Sequence, residues 1–278
     1  MEQYNKTNFE ISKFITKSYS TSFYSSSRLL DKESRTAIFA IYGFVRFADE
    51  IVDTFHHVNK KILLDTFEQQ YREALSEGIS MNPVLHSFVL TLRKYEIPKE
   101  LVDAFMHSMR MDLDKKHYLK PEEFKEYIYG SAEVVGLMCL KVFVQGKQES
   151  YEKLVDAAMG LGSAFQKVNF FRDLRADTEV LGRYYFPDFK PESFDKETKL
   201  AMTRDIRADF KLAKSGIRQL PGRSKLAVYV AYIYYLALLR KIERSPEQLI
   251  LSKRIRINNF HKSTLLFWAL LRYHLKLL

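Results

Sequence analysis

The chain has 278 residues, 46% hydrophobic and 14% aromatic, which is enough to bury a sizeable core, and its single cysteine excludes an internal disulfide framework. A net charge of +10 leaves three kinds of partner open: nucleic acid, anionic lipid or an anionic substrate. The start MEQYNKTNFE lacks a secretory-leader pattern and no apolar run approaches the roughly 20 residues of a spanning helix, so the expectation is a cytoplasmic chain, soluble or peripheral on the inner face of the membrane.

Seven prolines, ten glycines and period-3.6 patterning almost throughout predict an all-α fold, and with no Gly/Ser/Pro-rich linker it reads as one domain over residues 1–278. In chain order, a first helix is expected over 9–30. Its Tyr19-Ser20-Thr21-Ser22-Phe23 run forms helix poorly and by itself suits a cap or kink. A second, over 33–55, bears Asp49 and Asp53 one turn apart on otherwise apolar sequence, with Tyr42 and Arg46 upstream; Arg46 faces the same way and suits a phosphate oxygen. His56 and His57 have no third ligand nearby and are assigned no role. Amphipathic helices over 59–78 and 83–95 are structural. From Pro98 a helix leads to Asp112 and Asp114, which lie on different faces and suit an ion pair or a cap. Pro121 opens a helix through Tyr127, Tyr129 and Glu133 to Val144, with Cys139 as a buried, inert thiol. Beyond the central segment come a loop at 183–187, a charged outer helix over 192–216, and a helix over 226–242 carrying Tyr229, Tyr232 and Tyr235. From Lys253 the chain is basic and then apolar, and no acidic residue follows Glu247. This last stretch reads either as a core helix or as a peripheral contact with anionic lipid.

The most informative segment is 161–187. Asn169, Asp173 and Asp177 recur at i, i+4, i+8, stacking three oxygen-bearing side chains on one helix face, with Gln166 a turn earlier. Leu161, Ala164, Phe165, Val168, Phe170, Phe171 and Leu174 fill most of the remaining circumference, so the helix is buried and its carboxylates need a partner. Asp49 and Asp53, about 120 residues earlier, supply a second pair. Two such helices facing each other suit a Mg²⁺-diphosphate cluster, because Mg²⁺ takes oxygen ligands and is usually shared between carboxylates and substrate phosphates.

These residues carry a resemblance. Leu161-Gly162, Gln166, Asn169-Phe170, Arg172-Asp173-Leu174, Asp177, Arg183, Tyr185 and Pro187 resemble the second signature of the squalene and phytoene synthase family with no position broken. Asp49 and Asp53 resemble its first aspartate motif. Residues 127–136 resemble its other signature, with departures at Ile128 and Glu133. The likeness runs from about Tyr19 to Arg254, and it implies an isoprenoid-synthase-type helical bundle around a central apolar cavity. By resemblance, Asp49, Asp53, Asn169, Asp173 and Asp177 hold Mg²⁺, with Mn²⁺ as the alternative. Tyr19, Thr21, Ser22, Arg46, Gln166 and Arg254 meet the diphosphates, and Tyr129, Tyr235 and Arg172 act catalytically. Phe23, Phe44, Phe165 and Phe170 are candidates for the dry cavity wall.

The family joins two identical prenyl diphosphates head to head. With neither a Gly-rich dinucleotide loop nor a spanning anchor, no nicotinamide cofactor is expected, and the reading is a phytoene-type synthase acting on geranylgeranyl diphosphate. Ser27 supports the longer substrate, since farnesyl-using relatives have a bulky aromatic at the position that matches it. The alternatives are a farnesyl diphosphate-using dehydrosqualene or squalene type, a non-catalytic assembly protein, and a nucleic-acid binder. The last is set aside because it would not require carboxylates on apolar helices.

Overall fold

The computed structural model describes residues 1–278 except Lys116, Leu119 and Asp188, and the side chains of those residues except Val180 and Leu181. Among the described residues the regular structure is helical, with one isolated bridge between His117 and Tyr184.

The expected first helix is two: α1 (Glu2–Tyr19) and α2 (Thr21–Ser27). Ser20 adopts extended backbone between them, and its hydroxyl accepts from the Phe23 N–H at 3.3 Å, so the hydroxyl run acts as an N-cap that starts a new axis. Asp31 caps α3 (Lys32–Asp53), Asn59 caps α4 (Lys60–Glu77) and Asn82 caps α5 (Pro83–Lys94), while Gly78 ends α4 in the left-handed conformation. Next come α6 (Lys99–Asp114) and α7 (Pro121–Ile128). The single helix expected over 121–144 is interrupted by a π-helical turn at Tyr129–Glu133 before α8 (Val134–Phe143). A short α9 (Gln148–Glu152) leads into the central α10 (Val155–Ala176), which ends in a second π-helical turn, Asp177–Leu181. The chain finishes with α11 (Lys196–Ile217), α12 (Gly222–Arg244), α13 (Glu247–Ser252) and α14 (Asn259–His274).

Helices α1, α3 and α5 pack together on one side of the molecule, and α10 packs against α8, α11 and α12 on the other. Phe44 is the pivot of the first side: fully buried, it stacks on Phe88 at 4.0 Å and tilts against Tyr71 and Phe105. It therefore belongs to the core and not to the cavity wall. On the second side two glycines allow main chain to touch main chain. A Cβ at Gly162 of α10 would lie 2.6 Å from the Ala132 carbonyl oxygen, and one at Gly136 of α8 would lie 2.8 Å from that of Ala158. Between the two sides lies a cavity of about 460 Å³.

Candidate active site

Helix α3 presents Tyr42, Val45, Arg46, Asp49 and Asp53 to the cavity, a stripe at helical spacing. From the opposite wall α10 presents Phe165, Gln166, Asn169, Arg172 and Asp173, and the π-helical turn adds Asp177. The two aspartate-bearing segments thus face one space. Inserted π turns are frequent at functional sites because they swing one residue off the regular register.

The electrostatics of this mouth are unbalanced. Burial, then the neighbouring Asp53 and Asp112, push the Asp49 carboxyl up to about 8 despite Arg46. Burial and the charges of Asp173 and Asp53 push Asp177 up to about 7. Other carboxylates are already compensated by arginine. Asp173 accepts from Arg172 at 2.5 Å and from the Nε of Arg254 at 2.7 Å, and Asp53 accepts from Arg183 at 2.7 Å. Arg46 pairs with Glu50, sits 4.5 Å above the Tyr19 ring, and leaves its buried Nε without a partner.

A divalent cation fits this donor set, because Asp49, Asp53, Asn169, Asp173 and Asp177 are all oxygen donors, and burial beside other carboxylates makes two of them resist ionisation. Among the described residues no three acidic, imidazole or thiol groups converge tightly enough to cage an ion alone. Such a site suits an ion that completes its shell with phosphate oxygens and water.

Below the mouth the cavity is apolar. Tyr235 stacks on Phe165 at 4.0 Å and donates to Asn169 Oδ1 at 3.1 Å, which fixes its ring across the upper wall. Phe170 stacks on Tyr185 at 3.9 Å, and both line the cavity. Ser27 lies in the wall, 4% exposed, along with Leu30 and Ile38. Cys139 also faces it, its thiol pushed up to about 12 by burial.

Not every expected residue lines the cavity. Tyr129, expected to aim its hydroxyl inward, is 38% exposed and outside the cavity wall; two positions from Tyr127 it lies on roughly the opposite helix face, and Tyr127 lines the cavity instead. Tyr19 and Thr21 are exposed at the mouth, and Ser22 is half-buried beside them, accepting from the Lys262 ammonium at 2.7 Å. Phe23 stacks on Tyr42 outside the wall. In the 183–187 loop Arg183, Tyr185 and Phe186 are buried, and Tyr185 lines the cavity.

Sequence reasoning also missed residues. Asp112 lines the cavity, accepts from Tyr127 at 2.9 Å, leaves its other oxygen without a partner, and is pushed up to about 7 mainly by burial. Its signal was weak, since one Asp on an amphipathic helix has many uses. Lys262 was visible only as part of the C-terminal charge excess. Burial and the nearby Arg172 and Arg256 hold its ammonium below the ordinary lysine range, so it belongs to a cation cluster at the mouth.

A helical bundle with an apolar cavity under facing aspartate helices defines an isoprenoid-synthase architecture. Residues 16–261 match the squalene/phytoene synthase family, and the chain belongs to it. Among its relatives, a phytoene synthase of Arthrospira platensis is 28% identical over 95% of this chain and 93% of its own length. A chloroplastic phytoene synthase of Daucus carota is 29% identical over 81% of this chain, which spans only 61% of the carrot protein. Solved structures share the fold. A dehydrosqualene synthase in complex with ligand superimposes with a TM-score of 0.82 at 21% identity over 99% of both chains. A squalene synthase of Alicyclobacillus acidocaldarius gives 0.76 at 22% identity over 86% of this chain and 94% of its own.

Proposed function

We propose that the protein condenses two geranylgeranyl diphosphates head to head into phytoene through a cyclopropylcarbinyl diphosphate. The observation that carries this reading is the pairing of the two aspartate segments at the head of an apolar cavity whose wall contains Ser27 in place of a large side chain. Similarity to phytoene synthases of about 30% identity supports the same product class.

In this reading Asp49, Asp53, Asn169, Asp173 and Asp177 hold Mg²⁺, or Mn²⁺ in its place. Bound there, such an ion would supply positive charge to the departing diphosphate. Arg46, Arg172 and Arg254 take diphosphate oxygens, two of them leaving Asp173 to do so, and Gln166 orients the same group. Heterolysis of the allylic C–O bond leaves a cation that the double bond of the second substrate attacks. Loss of a proton closes the cyclopropane; departure of the remaining diphosphate then ionises that intermediate, and rearrangement of the cation with loss of a second proton gives the linear product. The faces of Phe165, Phe170 and Tyr235 stabilise the cations, and the dry wall keeps water from quenching them. No nicotinamide step is required, because the sequence ends on proton loss. Contact of the basic C-terminal helix with a membrane belongs to the same reading, since substrates and product are greasy.

The test is incubation of purified protein with either prenyl diphosphate, with and without Mg²⁺, and analysis of diphosphate and hydrocarbon. Mg²⁺-dependent forty-carbon product is expected, and Asp173→Asn lowers turnover at least about 100-fold. Exclusive thirty-carbon product would assign the farnesyl-using reaction instead. Absence of diphosphate release from both substrates would leave a non-catalytic role.

A further inference from the structure

A second cavity, about 740 Å³, lies between α11, α12 and α14 and shares only Ile217 with the wall of the site described above. Its floor is apolar, with Tyr229, Ile233 and Leu236 from α12 and Leu265 from α14. Its rim is cationic: Lys214 and Arg218 of α11, Arg240, Lys241 and Arg244 of α12, and Arg272 of α14. Among the described residues no Asp or Glu side chain lines it, Leu278 at the chain end does, and none of these six cations forms an ion pair. The one carboxylate within the rim sequence of α12, Glu243, is held by Arg207 through two contacts of 2.6 Å. Lys241 and Arg272 donate to the carbonyls of Arg256 and Leu277, but six cations without an ion pair around greasy walls have a complement: an amphiphile with an anionic head and an apolar tail.

The flank of the cavity narrows the choice. Helix α14 packs on α12 through Leu266, Ala269 and Leu270. Its other side carries Phe260, Phe267, Trp268, Leu271 and Leu275 at helical spacing, between 37% and 83% exposed. Leu265 and Arg272, which line the cavity, lie one turn either side of Trp268. The exposed stripe and the cavity therefore share an edge. An apolar stripe beside a cation cluster is the pattern of a helix lying in a bilayer interface, and soluble anions or nucleic acids leave such a stripe without a partner.

We propose that this cavity is a headgroup site for an anionic phospholipid, seating the α14 stripe in the membrane surface. The proposal specifies where the membrane contact suggested above is made, and rests on that contact without depending on the condensation chemistry.

The experiment uses the full chain and vesicles of phosphatidylcholine with or without phosphatidylglycerol. Wild type is expected to bind only the phosphatidylglycerol vesicles. The triple change Arg218→Gln, Arg240→Gln and Arg244→Gln, which leaves every charge of α14 in place, weakens this binding on the order of 100-fold, about fivefold for each cation. An equal charge loss elsewhere, Lys61→Gln, Lys99→Gln and Lys147→Gln, leaves binding within about threefold of wild type. Helical circular dichroism and condensation activity in detergent are unchanged in both. Equal weakening by the two triple variants overturns the cavity in favour of net charge. Binding insensitive to the three arginines, but abolished by Trp268→Ser, overturns the cavity and leaves membrane contact standing. Failure to bind any vesicle overturns both, and arginine-dependent binding of a single-stranded oligonucleotide without vesicle binding assigns the cavity to nucleic acid.

Discussion

Arg183 donates from Nη1 to Asp53 Oδ1 at 2.7 Å, a contact spanning 130 residues that ties the loop after α10 to the end of α3. Its Nη2 also donates to the Asp112 carbonyl at 2.9 Å. One buried guanidinium thus sets the distance between the aspartate segments from below. Arg183→Met leaves Asp53 and Asp112 without this counter-charge. The expected loss is about 3 kcal/mol of stability, the low end for a broken buried pair because Asp53 is partly exposed to solvent. Chemical denaturation measures it, and a change below about 0.5 kcal/mol would show that the ion pair is not a brace.

Titration gives a second prediction. Asp49 is raised to about 8, whereas an unfolded aspartate titrates near 3.9. The folded chain therefore holds more protons between those values, and stability contributed by the protonated form is lost as pH rises through about 8. Asp177, at about 7, acts in the same sense, and His86, lowered by burial, in the opposite one. The comparison is accordingly with Asp49→Asn. In chelator, the wild type loses thermal stability relative to this variant between pH 5.5 and pH 8.5, as differential scanning fluorimetry at fixed ionic strength would show. A constant difference across that range would mean that Asp49 is ionised throughout.

Ser27→Phe tests how the cavity measures its substrate. The side chain is 4% exposed in the cavity wall, so a phenyl ring there must enter the lumen. Forty-carbon product is expected to fall far more than thirty-carbon product when both substrates are supplied. Equal loss of both in chromatographic analysis would place the length limit elsewhere.

Gly162→Ala addresses the contact between α10 and the first π turn. A methyl 2.6 Å from the Ala132 oxygen forces two main chains apart, with an expected cost of about 2 kcal/mol. The melting temperature reports it, and Gly222→Ala, where nothing crowds the new methyl but φ is +48°, separates the steric cost from backbone strain.

Most of the fold was legible from hydrophobic period and breakers: α3, α4, α5 and α12 lie within a few residues of the spans read from apolar spacing. The facing of Asp49 and Asp53 with Asp173 and Asp177 followed from two i, i+4 pairs on apolar helices. The π turns were not legible, because a one-residue insertion in the hydrogen-bond ladder leaves composition untouched while rotating everything after it. Tyr129 was misplaced because either of two tyrosines on nearly opposite faces, Tyr127 or Tyr129, could have met the cavity, and only packing decides which. Nor were Asp112 and Arg183 as partners in one network, since their contact depends on the way distant segments pack. Single charges carry no periodic signal. Lys262 needed the placement of α14 against α2, which only tertiary packing reveals.

The glycine contacts also bear on how such a protein can change over generations. Where α10 meets α8 and the first π turn, the lumen is bounded in part by peptide groups, which substitution does not resize. Variation can widen, shorten or deepen the chamber at side-chain positions such as Ser27, Leu30 or Phe143, but its girth at the Gly136 and Gly162 level is inherited with the backbone. Descendants with new substrates would be expected to differ in the depth of the chamber before they differ in its width.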